Sequence, residues 1–394
     1  MFRGYLCRQY MRLDTTNRIT MSKSKKNIIG LAVILGLLFM GLLVYYFFFK
    51  KIALPPTSPP EDLLGGEVVA PAEKQRLVAL TQETVLGAAV ASDTETSEQK
   101  ITYVAWDGVI NQIDFNGGNK NKIGLAAVER IGAATVSSNG RLVAVKYALT
   151  SGQNRYLVYD AEKKSLKALP AGAAGLSLSP LGDEVIILSP EGNAFKITTA
   201  KSDLSESKNI TATKIPDLVL DWHNENSVAL KTKPSGLAWG LLYNLDLKTK
   251  KISRITGNVY GLTSLFSPSG KKVLISETEE NGFDLKLRSI NLEKNTQSAI
   301  NHLTLPEKCA WSQDDRTLFC GAIKTSNDYI MPDDYYKRKI KSSGEEIIRI
   351  NLDTGQTQKI IEGVFDATNL FLAPDESYLF FINKIDGRLY RLTL

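Results

Sequence analysis

The pairing in this 394-residue chain that most resembles catalytic machinery is Asp221 and His223, set two residues apart in LDWHNEN. A carboxylate and an imidazole near a serine could activate a nucleophile for acyl transfer. The segment reads, however, as a strand running into a turn, and a chain of this size offers such pairs by chance. No G-x-S-x-G elbow accompanies it, and no EF-hand or phosphate-cradling glycine loop is present. His223 and His302 are the only histidines, and the three cysteines lack zinc-finger spacing. The expectation is therefore no catalytic residue, no metal and no cofactor, in a protein that is not an enzyme. The alternative is an envelope hydrolase or carbohydrate-active protein that uses a central channel as its pocket.

Two other groups stand out. Cys309 and Cys320 flank the turn in KCAWSQDDRTLFCG, so they fall on adjacent strands of one hairpin. Outside the cytoplasm they could form a disulfide that staples the hairpin; otherwise they are two buried thiols. Residues 325–346 gather Tyr329, Tyr335 and Tyr336 with Asp328, Asp333, Asp334 and four basic residues. Aromatic rings with mixed charge on a long loop suit a partner-binding surface. The alternative is a loop that packs its tyrosines over its own blade. Trp106, Trp222, Trp239 and Trp311 sit in or beside strands and are expected to pack in the core.

The elements that position these residues repeat. IGAATVSSNGRLVAVKY, GLSLSPLGDEVIIL, LVLDWHNENSVALKT, LTSLFSPSGKKVLIS, KCAWSQDDRTLFCGA and TNLFLAPDESYLFFI each hold a short apolar strand, a tight turn and an alternating strand. In each, a third strand ending in Asp or Asn follows, and a turn leads to a fourth. Gly, Asn, Asp and Pro fall where turns need a preset or positive φ, and apolar residues alternate between them at period two. Equivalent turn positions Gly140, Gly182, Asn226, Gly270, Asp315 and Glu376 lie 42, 44, 44, 45 and 61 residues apart. A four-stranded propeller blade takes about 40–50 residues, so the last interval holds an insertion.

These segments, with turns such as NLDTGQTQKI, resemble the TolB-type β-propeller repeats, relatives of the WD-repeat propellers, over about residues 77–394. The resemblance implies a fold, and with it an expectation of protein partners in envelope assembly or transport. It carries over no binding residues, because the shared motifs are structural turns. HNEN and APDE depart from the pattern. A diverged first unit at residues 85–124 brings the count to seven blades. The last unit reaches Leu394 after three strands, and residues 75–81 are expected to supply its fourth. Six blades is the alternative.

Residues 27–49, NIIGLAVILGLLFMGLLVYYFFF, form a run of 23 without a charge; spanning a bilayer takes about 20. The length and the Lys50–Lys51 end favour an uncleaved signal anchor over a cleaved signal peptide. Residues 1–51 hold nine basic residues against Asp14 alone, a balance of +8 that leaves −2 for the rest of a chain whose total is +6. That asymmetry places the N-terminus in the cytoplasm and the body outside it, and a slightly acidic body excludes nucleic acid. Cys7 has the juxtamembrane setting that lipidation uses, and Met21 is an alternative start. The organisation expected is a basic segment 1–26, a transmembrane helix 27–49 in the bilayer, a Pro/Gly-rich linker 50–74 and an all-β propeller 75–394. The function expected is a protein-interaction scaffold held at the cell membrane, with a glycan as the other ligand class.

Overall fold

The computed structural model describes residues 76–92, 99–324, 328–340 and 344–394. They form seven four-stranded antiparallel sheets, the blades of a β-propeller. Blades 1 to 6 each take four consecutive strands, over residues 85–125, 131–168, 175–213, 218–259, 264–300 and 309–363. Blade 7 takes three strands from residues 367–393, and its outer strand is Leu77–Ala79. That strand runs antiparallel to Leu389–Thr393, with Leu77 opposite Leu392 and Ala79 opposite Tyr390. Arg76 reinforces the seam by donating from Nε to the Thr393 carbonyl at 2.8 Å. The expected strand from residues 75–81 is thus the one that joins the two ends of the ring. The segment 27–49 and linker 50–74 lie outside the described residues, among which no helix is long and apolar enough to cross a membrane.

Successive side chains of a strand point to opposite faces, and consecutive apolar residues in the second strands, such as Val185–Leu188 and Leu379–Ile382, put apolar side chains on both faces of the blade. Each face is buried against the next blade, so the core is a set of seven seams. Phe380 and Ile382 of blade 7 pack with Tyr103 and Ile113 of blade 1, and Leu274 and Leu287 of blade 5 with Trp311 and Leu318 of blade 6.

The repeated turns have a common cause. In blade 2, Gly140 N–H donates to the Ser137 carbonyl at 2.8 Å, and Ser137 N–H to Leu142 at 2.9 Å. Gly182 with Ser179 and Gly270 with Ser267 repeat the pattern, and all three glycines have positive φ, between 65° and 72°. Glycine adopts that conformation freely. APDE keeps this geometry although Glu376 takes a φ of 57°. Its carboxylate accepts bonds from Ser312 Oγ (2.6 Å) and Gln313 N–H (2.8 Å) of the preceding blade, which offsets the strain. HNEN does depart: the strand Leu218–Asn224 passes almost directly into Ser227–Thr232, and Asn226 lacks a positive φ. The Asp or Asn that closes the third strand caps the next turn with its own side chain. Asp160 Oδ1 accepts from Glu162 and Lys163 N–H at 3.1 and 3.0 Å, and Asn291 Oδ1 from Glu293 and Lys294 at 3.0 and 2.9 Å.

Antiparallel order gives the ring two distinct faces. One, the turn face, carries the connections from first to second and from third to fourth strands. The other, the loop face, carries the second-to-third connections and those between blades. The strand Leu77–Ala79 begins at the turn face.

Deleting residues 75–81 removes this strand and the buried Leu80. The expected loss is about 3–5 kcal/mol, read as a Tm lower by about 6 °C or more. An unchanged melting curve would contradict the closure.

Candidate functional site

The loop face is where exposed apolar side chains collect. Among the described residues eleven large hydrophobics are exposed, and nine of them lie in its loops or at strand ends that meet it. Only Leu166 and Leu181 belong to the turn face. The nine include two tryptophans that sequence reasoning assigned to the core: Trp106 is 64% exposed on blade 1 and Trp239 60% exposed on blade 4. Both sit just outside strands in connecting loops, where the blade has no neighbour to cover them. Trp222 and Trp311, inside strands, are buried as expected. Trp239 stands edge-on to Tyr260, with centroids 6.2 Å apart. Phe283, Tyr336 and Ile385 continue the apolar arc over blades 5, 6 and 7.

The insertion lies on this face, between the second and third strands of blade 6. Its short helix Asp333–Tyr336 does not stand free. Met331 N–H donates to the Gly282 carbonyl of blade 5 at 2.8 Å, and Asp333 accepts Gly236 N–H of blade 4 at 2.7 Å. The approach needs glycine at position 236, since a Cβ there would lie 2.3 Å from the Met331 carbonyl oxygen. Of the loop residues named from sequence, Tyr335 is buried at 4% exposure and packs with Leu285, Leu305 and Met331. Asp334 is buried as well, accepting Ile330 N–H at 3.0 Å and pairing with Lys339 at 2.8 Å. Tyr329 is half-buried against the same cluster. Asp333 is half-buried and Asp328 exposed, while Tyr336 is exposed and bonds Glu307. One aromatic of the three thus presents its ring outward.

Beneath Tyr335 is a charge cluster that the sequence did not signal. Lys308 is fully buried, its Nζ 2.7 Å from Glu345 and 2.6 Å from Asp366, and it donates to the Ala367 carbonyl at 2.7 Å. Burial opposes the charge, but Tyr335 and the two carboxylates overcome it and hold the Lys308 pKa above its ordinary value. One ammonium balances only one carboxylate. Burial, with help from Asp366, pushes the Glu345 carboxyl up to about 7 against the pull of Lys308. Lys384 lies 3.3 Å from the Tyr335 ring centroid and donates to its carbonyl. Burial, with Lys308 and Arg338 nearby, lowers it to about 8. The cluster joins three elements, the insertion and the loops that start blades 6 and 7, so it fixes the platform rather than presenting chemistry to solvent.

Asp221 and His223 do not assemble as a catalytic pair. The Asp221 carboxylate pairs with Lys231 at 3.0 Å, which holds its pKa low against the burial that raises it. His223 turns Nδ1 toward the Asp221 backbone carbonyl (3.3 Å) and stacks on Phe266, and burial lowers its pKa. Its Nε2 is buried without a partner, so no serine stands where a nucleophile would. Cys309 and Cys320 are opposite each other in register, and their Sγ atoms are joined at 2.15 Å. Among the described residues no group of three or more His, Cys, Asp or Glu could hold a metal.

No protein-family model and no curated protein matches this sequence. Many solved structures match the fold. Oligogalacturonate lyase from Vibrio parahaemolyticus is 11% identical at a TM-score of 0.54, covering 80% of this chain and 93% of its own. Hydrazine synthase from Kuenenia stuttgartiensis is 12% identical at 0.53, covering 80% and 97%. Tricorn protease is 13% identical at 0.50; the match takes 84% of this chain but spans only about a third, 35%, of the protease. At such identities the likeness is one of fold, the propeller, and not of activity.

The Glu345 carboxyl, raised from 4.5 to about 7, holds its proton more tightly folded than unfolded. Its contribution to stability is therefore fully present below the unfolded value and is lost as pH rises through 7. Melting followed from pH 5 to 8 should fall toward the alkaline end, and Glu345→Gln should flatten that slope. Parallel slopes in the two proteins would contradict the assignment. Lys308→Met, which strands two buried carboxylates, is expected to destabilise by about 3–5 kcal/mol.

Proposed function

We propose that this chain is a membrane-anchored, extracytoplasmic and non-catalytic scaffold of the cell envelope that holds a protein partner on its loop face. The observation that carries the reading is the one-sided distribution of exposed apolar side chains, nine of eleven on one face among the described residues. Soluble surfaces scatter such residues singly; gathering them marks an interaction surface. The tryptophans and Tyr336 are side chains of the kind that anchor interfaces. The insertion contributes as a platform: Tyr336 contacts the partner directly, while Tyr329, Asp333, Asp334 and Tyr335 hold the loop in place. The strand Leu77–Ala79 begins at the turn face, opposite this platform. The charge-free run 27–49 supports the anchor, and confinement to one layer raises the effective concentration of a partner in that layer.

A glycan is the second reading, favoured by Trp106 and Trp239, whose exposed rings suit sugar stacking.

Photocrosslinking in intact cells separates the faces. A photoreactive residue replacing Trp239 or Tyr336 in the full chain is expected to trap a discrete protein adduct, while one replacing Leu181 on the turn face traps none. Adducts at Leu181 alone, or equally at all three positions, would overturn the reading.

A further inference from the structure

The apolar arc over blades 4 to 7 and 1 runs on through Val219 into a hollow that adds charge to an apolar lining. A depression of about 860 Å³ opens on the loop face across blades 2, 3 and 4. Lys146 and Arg155, from the second and third strands of blade 2, line it and are half-buried. Neither has a carboxylate within ion-pairing distance among the described residues. Arg155 reaches only the Gln153 side-chain oxygen (3.2 Å) and the Asn154 carbonyl (3.4 Å). At the far rim Lys233 is already matched by Asp217 at 2.9 Å. The hollow therefore keeps two uncompensated positive charges, on a body whose net charge outside residues 1–51 is slightly negative.

The wall between blades 2 and 3 is the connection LPAGAA, residues 169–174, which carries no bulky polar group. Tyr156 fixes it by donating from its hydroxyl to the Ala174 carbonyl at 3.1 Å. Gly172 has a φ of +90° and open space where a Cβ would stand. Ala171 and Gly172 are exposed, and their amides donate to no group among the described residues. A rigid loop of small residues thus offers bare backbone donors beside two cations.

We propose, on the reading that the loop face holds a protein partner, that this hollow takes an acidic, extended segment of polypeptide. Its carboxylates pair with Lys146 and Arg155, the latter through the fork that suits a carboxylate. Its main-chain carbonyls accept from Ala171 and Gly172, the mode by which extended peptides gain affinity without side-chain specificity. The span from blade 2 to blade 4 is far more than one carboxylate group fills, which separates a chain from a small anion. The exposed tryptophans that would stack a sugar do not line the hollow.

Fluorescence anisotropy of a labelled octapeptide of alternating Glu and Ala tests the site, using the full chain in detergent micelles. Binding is expected to weaken with salt and to fall about tenfold or more in Lys146→Gln/Arg155→Gln. A turn-face control, Lys201→Gln, should leave it unchanged. Matching melting curves for the variants exclude a folding defect. Equal affinity for the peptide with Gln in place of Glu would overturn the proposal, as would insensitivity to the double variant. Tighter binding of an oligouronate of equal charge, lost in the same variant, would overturn the peptide in favour of an acidic glycan. If the peptide fails while crosslinking at Trp239 succeeds, this assignment falls and the loop-face reading stands.

Discussion

Every blade of this protein is apolar on both sides and can cover neither by itself. That constraint organises the molecule. Tyr103 and Ile113 in blade 1 need Phe380 and Ile382 in blade 7 as much as Trp311 in blade 6 needs Leu274 in blade 5. A row of such sheets with two free ends would expose a whole apolar face at each. The ring removes both ends at once. It closes through a strand of three residues, Leu77–Ala79, drawn from the opposite end of the chain. Because the stacking uses both faces of the inner strands, the exposed outer strands and the connections remain for interaction with anything else. Their alternation separates a turn face from a loop face.

The two faces have been spent differently. On the turn face, serines, asparagines and aspartates bond the backbone of their own turns and reach the next blade, as Ser312 and Gln313 do with Glu376. These bonds, each about 1 kcal/mol net, tie the turns of blades 2 and 3, 5 and 6, and 6 and 7. On the loop face the second-to-third connections of blades 4, 5 and 6 are longer, and side chains such as Trp106, Trp239 and Tyr336 lie exposed. The insertion of blade 6 settles there, tied to blades 4 and 5 through Gly236 and Gly282 and to blade 7 through Lys384. Beneath it the buried Lys308 converts a long loop into a fixed platform. Removing this insertion would uncover charged groups, so the loop cannot be treated as a detachable appendage.

Much of the fold was legible because it depends on local chemistry repeated many times. The turn signatures named the blades, their spacing exposed the insertion, and the missing fourth strand of blade 7 pointed to residues 75–81. The cysteines at 309 and 320 were readable as a pair because a tight hairpin sets their register. What escaped depends on contacts far apart in the chain. Lys308, Glu345 and Asp366 are unremarkable in sequence, and Lys308 meets Asp366 across 58 residues. Trp106 and Trp239 sit just past strand ends, where period-two alternation no longer says which way a ring points. Tyr335 and Tyr336 are adjacent, and only the seating of the helix turns one inward and the other out.

Closure of the ring by the strand before blade 1 is the claim from which the two faces follow, and its register makes it directly measurable. Val78 stands opposite Arg391. With cysteines at these two positions and the insertion loop cleaved by protease, oxidation should keep both fragments joined on a non-reducing gel. Moving the second cysteine to Asn369, on the innermost strand of blade 7 and on the same fragment as Arg391, should abolish the link. Free fragments from the Val78→Cys/Arg391→Cys protein, under conditions where the uncut chain is folded, would contradict the closed ring and the assignment of faces built on it.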